Sequence, residues 1–119
     1  LETMRQVDHP NVRVNFDTGN ITYYNQGGNA VEELKKVLPY LATVELKDHN
    51  GELESWTFPV LGKGNVDLKG VIEVLDENGY SGPVTLEFEG VRGIDLDEAQ
   101  TLKAIEDSVA YLRTLRKWM

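Results

Sequence analysis

Val12-Arg13-Val14-Asn15-Phe16-Asp17-Thr18-Gly19-Asn20 is the stretch on which the reading of the fold turns. Apolar residues at 12, 14 and 16 alternate as they do along a half-buried β-strand. The run carries a carboxylate, Asp17, to its C-terminal end and stops at once in a Thr-Gly-Asn turn. Two later runs do much the same. Ala42-Thr43-Val44-Glu45-Leu46-Lys47-Asp48 and Pro83-Val84-Thr85-Leu86-Glu87-Phe88-Glu89 each bring acids to the end of a strand-like segment. In parallel neighbouring strands, Asp17, Glu45 and Glu87 converge on one face.

The segments between these runs read as helices and loops. Leu1, Met4 and Val7 have helical spacing, and His9-Pro10-Asn11 ends that turn because the residue before proline is pushed out of the α region. After a first strand at 12–16, residues 20–29 read as a polar loop holding Tyr23, Tyr24 and Gly27-Gly28. Asn29 is a helix cap, and Val31, Leu34, Val37, Leu38 and Leu41 form an apolar stripe that Pro39 closes. A second strand follows at 42–47, then a turn at Asp48-His49-Asn50-Gly51 and a long irregular loop over 52–65. Asp67 caps a helix over 68–78 that ends at Asn78-Gly79, and a third strand follows at 83–88. Gly90 to Gly93 is a loop, and Asp95 or Asp97 starts a long helix with Ala99, Leu102, Ile105, Val109, Leu112 and Leu115 as its stripe. Three consecutive βα units imply an α/β fold with parallel strands and right-handed crossovers.

Bulk composition narrows the function classes. The 119 residues are 40% hydrophobic and 27% charged, which suits one domain or part of one. The absence of cysteine removes disulfides, thiolate zinc sites and thiol nucleophiles, and fits a cytoplasmic chain. A net charge of −8 disfavours nucleic acid and anionic membranes as partners, but tolerates carboxylates gathered around a cation. No apolar run approaches the ~20 residues of a membrane span.

The motifs Asn15-Phe16-Asp17-Thr18-Gly19-Asn20, Val44-Glu45-Leu46-Lys47-Asp48, Leu61-Gly62-Lys63-Gly64-Asn65-Val66-Asp67 and Asn78-Gly79-Tyr80-Ser81-Gly82-Pro83-Val84-Thr85-Leu86-Glu87 together resemble the xylose-isomerase-like TIM-barrel superfamily. That superfamily includes sugar isomerases and epimerases, inosose dehydratases and endonuclease IV relatives. The resemblance implies that the three units are the sixth to eighth of a (β/α)8 barrel, an incomplete barrel forming a single partial domain over residues 1–119. A whole barrel takes about 250 residues, so the expectation is a C-terminal fragment, inactive alone. Its partners are the missing N-terminal part and a second copy covering the open edges and an apolar inner face.

The resemblance also implies a divalent metal at the C-terminal face of the strands. Asp17 and Glu87 match metal-ligand positions, and Glu87 doubles as a catalytic proton carrier beside the substrate carbonyl. Glu45 stands where the family usually has His. Oxygen ligands throughout favour Mn, Mg or Co over Zn. Asn20 stands where a substrate-contacting His is common. Lys47, Asp48, His49, Trp56, Glu89 and Arg92 are expected at the rim as substrate contacts, Trp56 and Phe58 offering aromatic faces to a sugar or polyol. The reaction class is isomerisation or epimerisation, with an inosose-dehydratase-like lyase as a variant.

Blander readings of the same residues stand beside this one. Asp17 also suits the cap of a turn, and the glutamates suit solvated strand ends. Glu45 for His equally suits a non-catalytic sugar-binding or structural relative. An Asp-Thr-Gly triplet after a hydrophobic run also occurs in retroviral-type aspartic proteases, whose nearly all-β fold is at odds with three amphipathic helices.

Overall fold

The structure is a computed structural model and describes residues 1–118. In chain order the elements are α1 (Glu2–Val7), β1 (Val14–Asp17), α2 (Thr18–Tyr24), α3 (Ala30–Val37), a 3-10 turn (Leu38–Tyr40), β2 (Leu41–Leu46), β3 (Thr57–Phe58), α4 (Leu68–Glu77), β4 (Val84–Leu86), β5 (Gly90–Val91) and α5 (Glu98–Leu115). Strands β1, β2 and β4 form a parallel sheet in that order, and β3 pairs with β5 antiparallel in a separate ribbon. Among the described residues the sheet is open at both edges, as an incomplete barrel requires.

Alternation along the strands decides which face is covered. Phe16, Val44 and Leu46 point to the helical side and join Leu34, Leu68, Val71, Ile72, Leu75 and Leu112 in one core. The register pairs Asn15 with Thr43, Asp17 with Glu45, and Glu45 with Thr85. The opposite, open face therefore carries Asn15, Asp17, Thr43, Glu45 and Thr85, and the expected apolar inner face is instead polar. Covering apolar surface is thus no reason for this face to associate with a second copy.

Caps fix the helix starts. Asn29 Oδ1 accepts from Glu32 N at 3.1 Å and Asp67 Oδ1 from Gly70 N at 2.9 Å. At α5 it is Asp97 that caps, in a reciprocal box with Gln100.

Three expectations change. Residues 18–24 are helical rather than loop, because Asp17 caps them. The 52–65 segment is not wholly irregular, since β3 within it finds a partner in β5, drawn from the supposed 90–93 loop. The buried face of α5 is Ala104, Ser108 and Leu112, while Leu102 and Ile105 are exposed. Ser108 is on the buried side because its hydroxyl donates to Ala104 O and accepts from Leu61 N, which rotates the stripe read from apolar residues alone. No helix among the described residues is long and apolar enough to cross a membrane.

Candidate active site at the strand ends

Asp17, the last residue of β1, is also the N-cap of α2. Its Oδ1 accepts from Gly19 N at 3.0 Å and Asn20 N at 3.1 Å, which fixes the carboxylate at the C-terminal edge of the sheet. Glu45 lies beside it in register on β2, and Glu87 follows β4, its N–H donating to Leu46 O at 3.0 Å. One carboxylate oxygen from each of the three lies within 4.8 Å of the others. Parallel pairing thus gathers on one face three acids that are 70 residues apart in sequence from first to last.

A cation from the chain itself stands among them. Lys47 Nζ is 2.8 Å from Asp17 Oδ2, 3.1 Å from Glu87 Oε2 and 2.9 Å from Glu89 Oε2, and it reaches Asn20 Oδ1 at 3.4 Å. Its side chain is 3% exposed, so this is a buried ammonium and not the rim contact expected. Burial works against the charge, but the bonds from Asp17, Glu89 and Glu87 outweigh it and hold the lysine pKa above its ordinary value. The stem is confined: a Cβ on Gly19 would lie 2.9 Å from Lys47 Cγ, and Phe58 presents its ring 5.0 Å from Nζ. Thr18 locks the backbone below, donating to Lys47 O at 2.7 Å and accepting from Lys47 N at 2.9 Å.

Burial pushes the Glu87 carboxyl above the usual range. The Lys47 bond opposes that shift, and the Asp17 and Glu45 charges add to it.

The residues present fit a hard divalent cation. Asp17, Glu45, Glu87 and Glu89 bring four carboxylates against one ammonium, so the cluster stays strongly negative. The donors are all oxygen, as Mg or Mn prefers. Glu45 is the triad member with no ion pair to Lys47 among the described residues.

The acids face a cleft of about 200 Å³ whose other walls are Asn20, Tyr23, Tyr24, Trp56 and Phe58. Tyr23 packs edge-on to Trp56 at 6.0 Å and lies 5.5 Å from Phe58. Tyr23 and Tyr24 were not legible as wall residues while 20–29 read as a loop; the capping potential of Asp17 was the signal for the helix that presents them. Arg92 lies outside the cleft, exposed, its N–H donating to Trp56 O at 2.9 Å.

Asp48 and His49 are buried beneath the long loop rather than at the rim. Asp48 Oδ1 accepts from His49 N and Val66 N, and Oδ2 from Gly62 N and Gly64 N. His49 Nε2 donates to Ser55 O at 2.8 Å, leaving Nδ1 to accept from Gly51 N and meet the Thr22 hydroxyl at 2.7 Å. The imidazole therefore ties α2 to the loop that carries Trp56.

The chain belongs to the xylose isomerase-like TIM-barrel family, which it matches over residues 1–115. It is 34% identical to a xylose isomerase domain protein from Planctomyces limnophilus of known crystal structure, with a TM-score of 0.81 over 98% of this chain and 42% of that one. A D-tagatose 3-epimerase-like protein aligns with a TM-score of 0.60 at 25% identity, over 87% of this chain and 35% of that one. The inosose dehydratase of Clostridium botulinum is 33% identical over 101 residues, covering 72% of this chain and 33% of the enzyme. The chain spans about a third of the length of the curated relatives it matches.

Proposed function

We propose that this chain supplies the acid cluster of a divalent-metal-dependent sugar isomerase or epimerase, with Asp17, Glu45 and Glu87 holding the ion. The observation that carries the reading is the convergence of three carboxylates on adjacent parallel strand ends, within 4.8 Å of one another and at the mouth of an aromatic-walled cleft. The ion, Mn, Mg or Co in preference to Zn, would polarise the carbonyl and hydroxyl oxygens of the substrate as a Lewis acid.

Glu87 is the acid–base group. It takes the proton α to the carbonyl and returns it to the neighbouring carbon, while epimerisation needs a second acid, from the rest of the barrel, on the opposite face of the substrate. In the metal-free cluster Lys47 keeps the Glu87 oxygen oriented, and Asn20 and Glu89 line the same wall of the cleft. Trp56 and Tyr24, both exposed, would lie against the C–H face of a sugar or polyol. Loss of water after the same proton removal gives the dehydratase variant of the reaction, the activity named for the inosose dehydratase relatives.

The rest of the barrel would complete the cleft, so activity is expected of the longer protein and not of residues 1–119 alone. The test is exchange of the α-proton of keto-sugars in D2O by the longer protein with Mn2+. Glu87→Gln should abolish exchange while leaving sugar binding within a few-fold; exchange that survives Glu87→Gln removes the assignment. Lys47 favours a second reading, because an ammonium already neutralises part of the cluster. On that reading the protein is a non-catalytic sugar binder, and binding would be indifferent to both Mn2+ and Glu87→Gln.

A further inference from the structure

The ammonium of Lys47 has four oxygen partners, and they fall into two pairs. Asp17 and Glu87 belong to the carboxylate triad; Glu89 and Asn20 do not. A metal ion on Asp17, Glu45 and Glu87 would draw on two of the carboxylates that now hold Lys47, and would leave Glu89 and Asn20 untouched. The stem is confined: a Cβ on Gly19 would lie 2.9 to 3.1 Å from Lys47 Cγ, Cδ and Cβ, and the Phe58 ring centroid is 5.0 Å from Nζ. Glu89 and Asn20 are already within reach of Nζ, at 2.9 and 3.4 Å.

We propose that Lys47 is the resident counter-cation of this cluster: it holds Asp17 and Glu87 in place when no metal is bound, and moves onto Glu89 and Asn20 when one is. Lys47 is thus a positioning residue whose charge competes with the metal. The inference rests on the metal reading of the triad given above. Its physical basis is that like charges a few ångströms apart in a partly buried site repel strongly, while several carboxylates with no cation repel one another equally. One lysine therefore permits the acids to fold together and at the same time weakens their grip on the metal, which keeps metal exchange reversible.

The test is Mn2+ binding by calorimetry, with the melting temperature measured with and without Mn2+. The variants are Lys47→Met, which keeps the stem, Lys47→Gln as a second version, and Glu45→Gln, which removes a triad ligand outside the lysine's reach. Lys47→Met and Lys47→Gln should melt lower than the parent without metal, and should bind Mn2+ at least tenfold tighter, about 1.4 kcal/mol. Glu45→Gln should weaken Mn2+ binding and leave the metal-free melting temperature close to the parent's. Folded Lys47 variants that bind Mn2+ no tighter than the parent overturn the role of Lys47 and leave the metal reading standing. Absence of Mn2+ binding by the parent and by both Lys47 variants overturns the two together. Lys47 variants that stay unfolded even in saturating Mn2+ also overturn it, since the metal then fails to replace the ammonium.

Discussion

Replacing Asp48 by Asn separates an architectural carboxylate from one that contacts substrate. The side chain is 1% exposed, and its two oxygens accept four backbone N–H groups, from His49, Gly62, Gly64 and Val66, at 2.8 to 3.1 Å. These bonds bend the chain from the end of β2 through the Gly62-Lys63-Gly64 turn to the start of α4. Asparagine keeps one oxygen and turns the other into a donor, so in either orientation two N–H groups face an NH2. An unsatisfied buried donor costs about 1–3 kcal/mol, and the remaining two bonds lose their charge assistance. Gly62 is exposed and recovers part of its loss from water, so the net cost is about 3 kcal/mol. With an unfolding entropy of about 0.25 kcal/mol/K for 119 residues, that lowers the melting temperature by about 12 °C. The assay is thermal and urea unfolding followed by circular dichroism at neutral pH. A drop below 3 °C would refute the reasoning and return Asp48 to the list of substrate contacts.

Two further perturbations probe the lysine and its seat. Gly19→Ala adds a methyl group 2.9 to 3.1 Å from three carbons of the Lys47 stem; the overpacking, about 1–3 kcal/mol, outweighs the gain in helix propensity, so urea unfolding should show a net loss. A gain in stability would mean that Lys47 has room to move aside. Because the folded pKa of Lys47 is raised, its contribution to stability is fully present below the ordinary lysine value of 10.5 and is lost as pH rises above it. Tyr80 and Tyr111, raised by burial, push stability the same way. The measurement is therefore the difference between the parent and Lys47→Met, whose melting temperatures should draw together as pH rises above 10.5; parallel curves would contradict the ion-pair geometry.

Much of the fold was written in local pattern. Alternation at Val14 and Phe16, the caps Asn29 and Asp67, and Gly79 after α4 are each the residue types that their backbone positions demand, so strand order and three helices follow from the chain itself, while Val12, read into the first strand, lies before β1 and is exposed. Asp97 was legible as one of two cap candidates, and geometry chose it through Gln100. The helix at 18–24 was hidden because its start signal, Asp17, was also the end of a strand. The stripe on α5 was misread because a serine with internal hydrogen-bond partners is as acceptable in the core as a leucine.

The sequence alone determined that three strands each end in carboxylates and that helices separate them, because periodicity and capping act between residues a few positions apart. Those same acids, Asp17, Glu45 and Glu87, were nameable as a candidate site once their strands were taken as parallel neighbours. Tertiary structure alone decided what surrounds them. The parity of β2 sends Glu45 and Lys47 to the same face, so the ammonium joins the acids instead of the rim. Loop closure over 52–65 buries Asp48 and His49 and brings Trp56 and Phe58 to the cleft. The alternation that hides Phe16, Val44 and Leu46 against the helices leaves the open face polar. Each of these outcomes depends on which distant groups meet, and only the packed chain fixes that.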